Sequence, residues 1–276
     1  MASDRIINLK IGENNLTFKS ETKKAIDTEI LLLHIPLLLI VIAYGLNFLT
    51  WPLFFLLFYV IAMRVFIGNH DRYHSNTNVR LPRFLETFAE GLGVIVTPWD
   101  EPYDSIKRKH LIHHTTHKIG EIPIYDTKKD PNCVYEMGGL FNVLLSCLFY
   151  EEVQLFFDIR DKNLTRSRLF RFLIYVPMQI GFILFFGFNI FLGVFIATRL
   201  VGFTAWFVFS WVIHQPFIYK FGFSRDVPKW FKFIFQILHG KRVSEGCIHH
   251  ATHHKWPAIP SGKLYKFDSI VIKNTI

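Results

Sequence analysis

Two apolar runs, separated only by Thr50, decide the fold of this chain: ILLLHIPLLLIVIAYGLNFL at residues 30–49 and WPLFFLLFYVIAMRVFIG at residues 51–68. A helix needs about 20 predominantly apolar residues to cross the hydrocarbon core of a bilayer, which is about 30 Å thick. Each run therefore predicts a membrane-spanning helix. The short link between them predicts a tight turn that returns the chain to the side on which it started.

A second pair of apolar runs lies in the C-terminal half, at residues 172–188 and 190–213. Only Asn189 separates these two runs, so they also predict a helical hairpin. The sequence thus predicts an all-α integral membrane protein with four transmembrane helices arranged as two hairpins. We expect a single domain over residues 1–276, completed by interfacial helices and a cytoplasmic cap rich in histidine.

Composition and charge agree with a membrane protein. Hydrophobic residues make up 51% of the 276 residues, which excludes a disordered protein. Three cysteines without a CxxC pair exclude a disulfide-stapled secreted domain. Neither hairpin tip contains Lys or Arg, so the positive-inside rule places the basic regions 1–28, 69–171 and 214–276 in the cytoplasm. This topology and anionic headgroups account for the net charge of +9, and we expect no nucleic-acid partner.

Two further apolar stretches are less clear as spans. Residues 138–157 contain Glu151 and Glu152 and predict an amphipathic helix at the membrane interface. A fifth crossing is the alternative, but it would place the basic residues 158–171 on the outer side. Residues 84–96 predict a similar interfacial or re-entrant segment.

Histidines concentrate in three short groups on the predicted cytoplasmic face. The groups are His70 and His74, then His110, His113 and His114, then His250, His253 and His254. Residues three and four apart share one face of a helix, so each group can direct its imidazoles to one point. Imidazole ligates Zn, Cu, Fe and Ni, and the number of imidazoles exceeds what one ion needs. The pattern therefore predicts two metal ions.

The remaining histidines carry a weaker signal. A single HxxxH pair at the end of a span commonly faces headgroups or solvent, but three such groups on one face are not explained by coincidence. His34, His117 and His239 do not fit the spacing, and we expect no metal at them. His249 adjoins the third group, and its role stays open.

The order of the groups, HDxxH at 70–74, HxxHH at 110–114 and HxxHH at 250–254, resembles the membrane fatty acid desaturase superfamily. The flanking sequences are similar as well. They are PYDSIKRK at 102–109, Asp130-Pro131 and HHKWPAIP at 253–260. The resemblance covers about residues 30–266, and it departs from the family pattern at Ser75-Asn76, where Gly often follows the first box.

The resemblance implies an enzyme that uses two non-haem iron ions, O₂ and two electrons from an external donor. The ligands that it carries over to this sequence are His70, His74, His110, His113, His114, His250, His253 and His254. His214 matches a further family histidine between the last span and the third box, and it is the ninth candidate. Asp71 is expected to orient a ligating histidine through its ring N–H, and the alternative is a solvated or salt-bridged carboxylate beside Arg72.

The electrons are expected to come from a separate protein of the ferredoxin or cytochrome b5 type, docking on the basic cytoplasmic face. The sequence contains no GxGxxG motif after a strand, no cytochrome b5-like module and too few cysteines for a ferredoxin cluster. Because no fused cytochrome domain and no endoplasmic-reticulum retrieval signal is present, we expect a bacterial inner membrane rather than the endoplasmic reticulum.

The sequence therefore predicts a fatty acyl desaturase that introduces a C=C bond into a long-chain acyl substrate in the lipid bilayer. Arg199, inside the fourth span, is the candidate for substrate binding, whereas Arg64 is expected to snorkel to the interface. A lipid or carotenoid hydroxylase or ketolase with the same site is the alternative. A metal transporter is a third hypothesis, although transporters usually place ligands at mid-membrane or in low-complexity loops.

Overall fold

The structure is a computed structural model that describes residues 6–11, 14–19, 21–75, 77–96, 103–116, 139–160, 162, 164–214 and 228–267. Four helices among these residues are long and apolar enough to cross a membrane. They are Lys23–Gly45, Trp51–His74, Arg168–Phe186 and Phe188–His214. Each helix overlaps one of the four apolar runs of the sequence, so the prediction of four helices of spanning length is confirmed.

The N-terminal segment is a two-stranded antiparallel sheet of β1 (Ile6–Ile11) and β2 (Asn14–Lys19). The expectation of an all-α chain is wrong for this segment. Its sequence IINLKI alternates apolar and polar residues from position 7 onward, and a period of two suits a strand rather than a helix. Asn8 and Thr17 are register partners, and the Thr17 hydroxyl donates a 2.9 Å hydrogen bond to the Asn8 side chain.

The first two spanning helices, α1 (Lys23–Gly45) and α2 (Trp51–His74), are consecutive and pack against each other. The turn between them contains Asn47 in a left-handed conformation with φ of 61°, which a short polar side chain tolerates. Beside this turn, the Tyr44 ring stacks on Phe54 with centroids 4.2 Å apart. Both helices therefore direct their other ends to the same face of the molecule.

Four shorter helices follow: α3 (Arg83–Val96), α4 (Tyr103–Thr116), α5 (Leu140–Leu148) and α6 (Tyr150–Arg160). The axes of α5 and α6 meet at 91°. The prediction of one continuous amphipathic helix is therefore wrong here, because the chain turns at Phe149, and the Tyr150 ring then stacks on Trp206. The interfacial location of these helices stays a prediction.

The second pair of spanning helices is α7 (Arg166–Phe186) and α8 (Phe188–Trp206). Gly187 joins them with a φ of 87°, a left-handed conformation that favours glycine. Beyond α8 the span continues through a π-helical turn, Phe207–Trp211, and a 3₁₀ turn, Val212–His214. This irregular end carries His214.

Three C-terminal helices complete the described chain: α9 (Lys229–His239), α10 (Lys241–Ile248) and α11 (His250–Lys255). A 3₁₀ turn at Ser261–Lys263 packs against α10. In turn, α10 contacts α2 and so places α11 near the end of that helix.

The core lies between α1, α2 and α8. A stripe of small or compact side chains runs down one side of α8 and is formed by Gly193, Ala197, Val201 and Ala205. Small residues of this kind allow membrane helices to approach closely. A Cβ atom at Gly193 would lie 2.3 Å from the Tyr44 hydroxyl oxygen, so this approach leaves no room for a side chain. The close packing holds the histidine-bearing ends of α2 and α8 beside each other.

Candidate metal centre

The first histidine group lies in the last two turns of α2. His70 and His74 are one helical turn apart, and their ring centroids are separated by 5.5 Å. Their i, i+4 spacing puts both rings on one side of the helix. Arg72, between them, forms an ion pair with the buried Asp27, whereas the carboxylate of Asp71 pairs with Arg242.

The second histidine group is positioned by the start of α4. The hydroxyl of Tyr103 donates a 2.9 Å hydrogen bond to the carbonyl oxygen of Arg72. Burial raises the pKa of Tyr103 to about 12, so the phenol remains a donor at neutral pH. This bond fixes α4 against the end of α2, and the ring of His110 consequently lies 4.8 Å from that of His70.

The third histidine group lies on α11, and all three of its rings are buried. His249, directly before this helix, belongs to neither histidine group. Its Nε2 lies 2.8 Å from a carboxylate oxygen of Glu245, and both side chains are at most 3% exposed. This pair holds the junction of α10 and α11 in place. The three histidines of α11 then face the other histidine-bearing elements.

The nine histidines predicted as ligands meet in two groups. One group, called the five-histidine group, contains His70, His74, His110, His114 and His253. The other, called the four-histidine group, contains His113, His214, His250 and His254. Within each group the candidate ligand atoms lie within 4.8 Å of one another. The two groups are adjacent, since the ring centroids of His114 and His254 are 4.3 Å apart.

The ring nitrogens converge inside each group. In the four-histidine group, Nε2 of His214 lies 3.0 Å from Nε2 of His113 and 3.2 Å from those of His250 and His254. Two imidazole nitrogens that share an ion at about 2.1 Å are about 3.0–3.4 Å apart at ordinary coordination angles. The spacing therefore fits a common metal ion, whereas two neutral rings facing each other share at most one proton.

Several of these nitrogens are buried without a hydrogen bond. Among the described residues, none pairs with Nε2 of His70 or with either ring nitrogen of His253. A buried polar atom without a partner costs about 1–3 kcal/mol, so such atoms call for a ligand. A metal ion between the rings satisfies them. The residues present thus fit two metal ions.

Burial also sets the charge of the candidate ligands. It holds the pKa values of His110, His250 and His253 well below their usual range, and the neighbouring imidazoles lower these values further. The pKa of His114 is lowered by the same two causes. Neutral imidazole keeps the lone pair that a metal needs, so the rings are in the ligating form at neutral pH.

A carboxylate supports the five-histidine group from behind. Oδ1 of Asp71 lies 3.2 Å from Nδ1 of His70 and also accepts a hydrogen bond from the Ser261 hydroxyl. Nε of Arg242 donates a 2.7 Å hydrogen bond to Oδ2 of the same carboxylate. A proton on Nδ1 of His70, directed at Asp71, leaves Nε2 as the lone-pair nitrogen. The sequence pointed to Asp71 but not to Ser261 or Arg242, which no local spacing connects to it.

An apolar cavity of about 180 Å³ borders both histidine groups. Its wall includes His70 and His110 of the five-histidine group and His113, His214 and His250 of the four-histidine group. Away from these rings it follows α2 and α8, where Phe66, Val194, Val201 and Phe209 are among the apolar lining residues. An apolar chain lying in this cavity would contact the candidate metal-binding rings.

The predicted substrate contact, Arg199, lies in the wall of this cavity and forms an ion pair with Glu152 of α6. The sequence did not single out Glu152, which entered only with Glu151 as a carboxylate within the apolar stretch at residues 138–157. Arg64, the other arginine that interrupts an apolar run of the sequence, is exposed and does not line the cavity.

The histidines that did not fit the spacing lie elsewhere or are not described. Nδ1 of His34 donates a 2.7 Å hydrogen bond to the carbonyl of Ile30 in the preceding turn of α1. His239 pairs with the Tyr59 hydroxyl at 2.7 Å. His117 and the Asp130-Pro131 pair lie outside the described residues.

Comparison with known proteins agrees with the geometry. The family model described as fatty acid desaturase matches residues 46–273, a range that includes all nine grouped histidines. No curated protein and no solved structure gives a significant match to the chain. Because the family model covers well over half of the sequence, the resemblance predicted from the three histidine boxes is confirmed, and the chain belongs to the fatty acid desaturase family.

Proposed function

We propose that this protein is an oxygen-dependent, non-haem di-iron desaturase that introduces a C=C bond into a long-chain acyl lipid. One observation carries the proposal: two adjacent groups of buried or half-buried, histidine-only ligand candidates border an apolar cavity. A buried cluster of imidazoles suits transition metals, and an apolar cavity suits a hydrocarbon chain. Family membership supports the combination of metal and lipid.

The nine histidines are proposed to hold two iron ions, one in each group. Iron bound there would supply the oxidising chemistry that breaking an unactivated C–H bond requires, which no acidic or nucleophilic side chain can provide. The protein contributes binding and orientation. Asp71 holds the His70 ring in one tautomer, and α2, α4, α11 and the 3₁₀ turn Val212–His214 position the other rings.

The proposed reaction balances with one O₂ for each double bond formed. The acyl chain loses two hydrogen atoms from neighbouring carbons and so gives up two electrons, and an external donor supplies two more. With two protons from solvent, these four electrons reduce O₂ to two water molecules. The cavity beside the rings is proposed to hold the chain while this occurs.

The site is proposed to face the cytoplasm, where a separate electron-donor protein of the ferredoxin or cytochrome b5 type reaches it. The positive-inside rule supports this orientation, because Lys107, Arg108 and Lys109 directly precede His110 on α4. Such a basic surface attracts an acidic electron carrier. Full turnover of the purified protein with NAD(P)H and O₂ alone would overturn the need for a separate donor.

Two measurements test the function. Metal analysis of the purified protein is expected to give about two iron ions per chain, and His113→Ala and His253→Ala are expected to abolish activity while membrane insertion persists. His239→Gln, at a buried histidine outside both groups, is the control and should retain activity. Labile zinc together with ion flux through the protein would instead support a metal transporter.

Mass spectrometry of host lipids identifies the reaction. We expect products that have lost two hydrogen atoms in cells expressing the protein and not in cells expressing His113→Ala. A gain of one oxygen atom at the same position would assign a lipid or carotenoid hydroxylase or ketolase to this site. Unchanged lipids in both strains, with iron bound and a donor supplied, would contradict the proposal.

A further inference from the structure

An ion pair lies inside the membrane-spanning part of the cavity wall. Arg199 is in α8, near the middle of the span Phe188–His214, and both Nη atoms donate to the carboxylate of Glu152 on α6. The two Nη groups form a fork on the carboxylate, with Nη1 2.8 Å from Oε2. Forked pairs of this kind are geometrically specific.

Stability alone does not explain this pair. Charged groups within a membrane span are costly and generally mark functional sites. A buried salt bridge is often no more stabilising than a well-packed apolar pair of the same volume. Arg199 and Glu152 retain 16% and 34% side-chain exposure, which for Arg199 includes the cavity side. Apolar residues at positions 152 and 199 would hold α6 against α8 equally well, and they would extend the apolar wall of the cavity.

The pair presents hydrogen-bond donors without a net charge. A guanidinium carries five N–H donors, and among the described residues Glu152 alone accepts hydrogen bonds from Arg199. The remaining N–H groups are available to a ligand in the cavity. Glu152 neutralises the positive charge of Arg199. An uncharged oxygen acceptor therefore suits this position better than a carboxylate or a phosphate, because an anion would lose its hydration without meeting a net positive charge.

Other polar side chains surround the same part of the cavity. Tyr175 and Gln179, one turn apart on α7, line it together with Thr198, the neighbour of Arg199 on α8. A few convergent polar groups in an otherwise apolar pocket commonly fix the orientation of a ligand. They make this end of the cavity wall more polar, which suits a ligand that carries an oxygen function here.

The position of the pair sets the geometry of the ligand. Arg199 precedes His214 by fifteen residues on the same span, which corresponds to about 22 Å along the helix axis at 1.5 Å per residue. The cavity wall follows α8 over this interval. A single extended molecule can therefore contact the histidines at one end and Arg199 at the other.

We propose that the substrate is a neutral lipid bearing an uncharged oxygen function, a hydroxyl or a carbonyl, that accepts hydrogen bonds from Arg199 about 22 Å from the metal centre. This inference rests on the proposed function, because it assigns the opposite end of the same molecule to the histidines. Arg199 and Glu152 then select the substrate and fix how far it enters the cavity.

The test compares two uncharged probes of equal chain length, radiolabelled octadecane, which has no oxygen atom, and octadecan-1-ol, which carries one terminal hydroxyl. Their dissociation constants are measured on the full-length protein in nanodiscs, without O₂ or reductant. We expect the hydroxylated probe to bind about tenfold more tightly to the wild-type protein, the effect of one hydrogen bond to a charged donor. Equal affinities would overturn the proposal.

Two variants and a control decide the role of the pair. Arg199→Leu combined with Glu152→Leu removes the pair but keeps an apolar brace, and it should abolish the preference. Arg64→Leu removes an intramembrane guanidinium that does not line the cavity, and it should retain the preference. A preference that persists in the double variant would show that the pair is only a brace between α6 and α8.

A second substitution keeps the test decisive if the double variant does not fold. Glu152→Gln leaves the charge of Arg199 without its partner, so we expect it to favour an anion of the same chain length, octadecanoate, over the hydroxylated probe. Unchanged discrimination would contradict the proposal. Because binding is measured without turnover, these outcomes are independent of the iron and product analyses that test the enzymatic function.

Discussion

Nε of Arg242 donates a 2.7 Å hydrogen bond to Oδ2 of Asp71, a residue 171 positions earlier in the chain. The same guanidinium binds Glu29 and Glu21 through its two Nη atoms, each at 2.6 Å. Arg242 thus joins α10 to the start of α1 and to the carboxylate that contacts His70. The orientation of a candidate metal-binding ring therefore depends on this long-range connection.

Arg242→Lys is expected to weaken iron binding by about 10–100-fold, the usual effect of losing a group that orients a ligand. Lysine keeps the positive charge but lacks the planar guanidinium whose N–H groups bind three carboxylates at once. The carboxylate of Asp71 is then no longer held in place beside Nδ1 of His70. Iron retained after dialysis against graded chelator concentrations measures the effect. Arg80→Gln, at a half-exposed arginine, is the control, and equal iron retention in both variants would contradict a role for Arg242.

The two histidine groups are expected to respond differently to the loss of one ring. His254→Ala leaves three histidines in the four-histidine group, whereas His253→Ala leaves four in the five-histidine group. Because fewer remaining ligands hold an ion less tightly, we expect His254→Ala to lose about one of two ions and His253→Ala to retain more iron at the same chelator concentration. Loss of both ions in either variant would indicate one shared site rather than two.

The spans and the histidine boxes were predictable because their signals are local. Twenty apolar residues in a row identify a span, and rings spaced by three and four residues identify a helical face, with no knowledge of the tertiary structure. The division of the nine histidines into two groups was not predictable. His113 and His114 are adjacent in sequence yet belong to different groups, because the helical rotation between neighbours directs their rings to opposite sides of the cluster.

The contacts around the site depend on distant parts of the chain and could not be predicted. Arg242 with Asp71, and Arg199 with Glu152, are pairs whose members lie on different helices, far apart in sequence. Local patterns that the sequence did contain were also missed. The alternation at residues 6–11 indicates a strand, and the end of α5 at Phe149 breaks a stretch that hydrophobicity alone presents as continuous.

Lys23→Met is expected to destabilise the fold by about 3–5 kcal/mol, the usual cost of breaking a buried ion pair from one side. Lys23 is 1% exposed, and its Nζ lies 2.8 Å from a carboxylate oxygen of Asp27 and 2.8 Å from one of Glu86. Without Lys23, both carboxylates lose this cation as a partner. Thermal unfolding of the detergent-purified protein measures the change. Lys24→Met, at the exposed neighbouring residue, should unfold at nearly the wild-type temperature, and equal melting of the two variants would contradict this role.

Gly202→Leu is expected to narrow the cavity without disturbing the protein around it. Gly202 lines the cavity, and a Cβ atom there would meet no atom within 4 Å, so a leucine side chain would extend into the space proposed for the substrate. Iron content should not change, because Gly202 is distant from the histidines along α8. We expect kcat/KM for a long acyl chain to fall about tenfold or more, since hydrophobic pockets discriminate at the level of single methylenes.

The control for this prediction is Gly181→Leu. Gly181 is a helical glycine of α7 that also has no atom within 4 Å of a Cβ, but it does not line the cavity. The two variants therefore make the same chemical change at an open position, and only one of them reduces the cavity. A parallel loss of kcat/KM in both would assign the effect to the helices rather than to the cavity. A loss confined to Gly202→Leu, greater for long than for short acyl chains, would support the cavity as the path of the substrate to the metal centre.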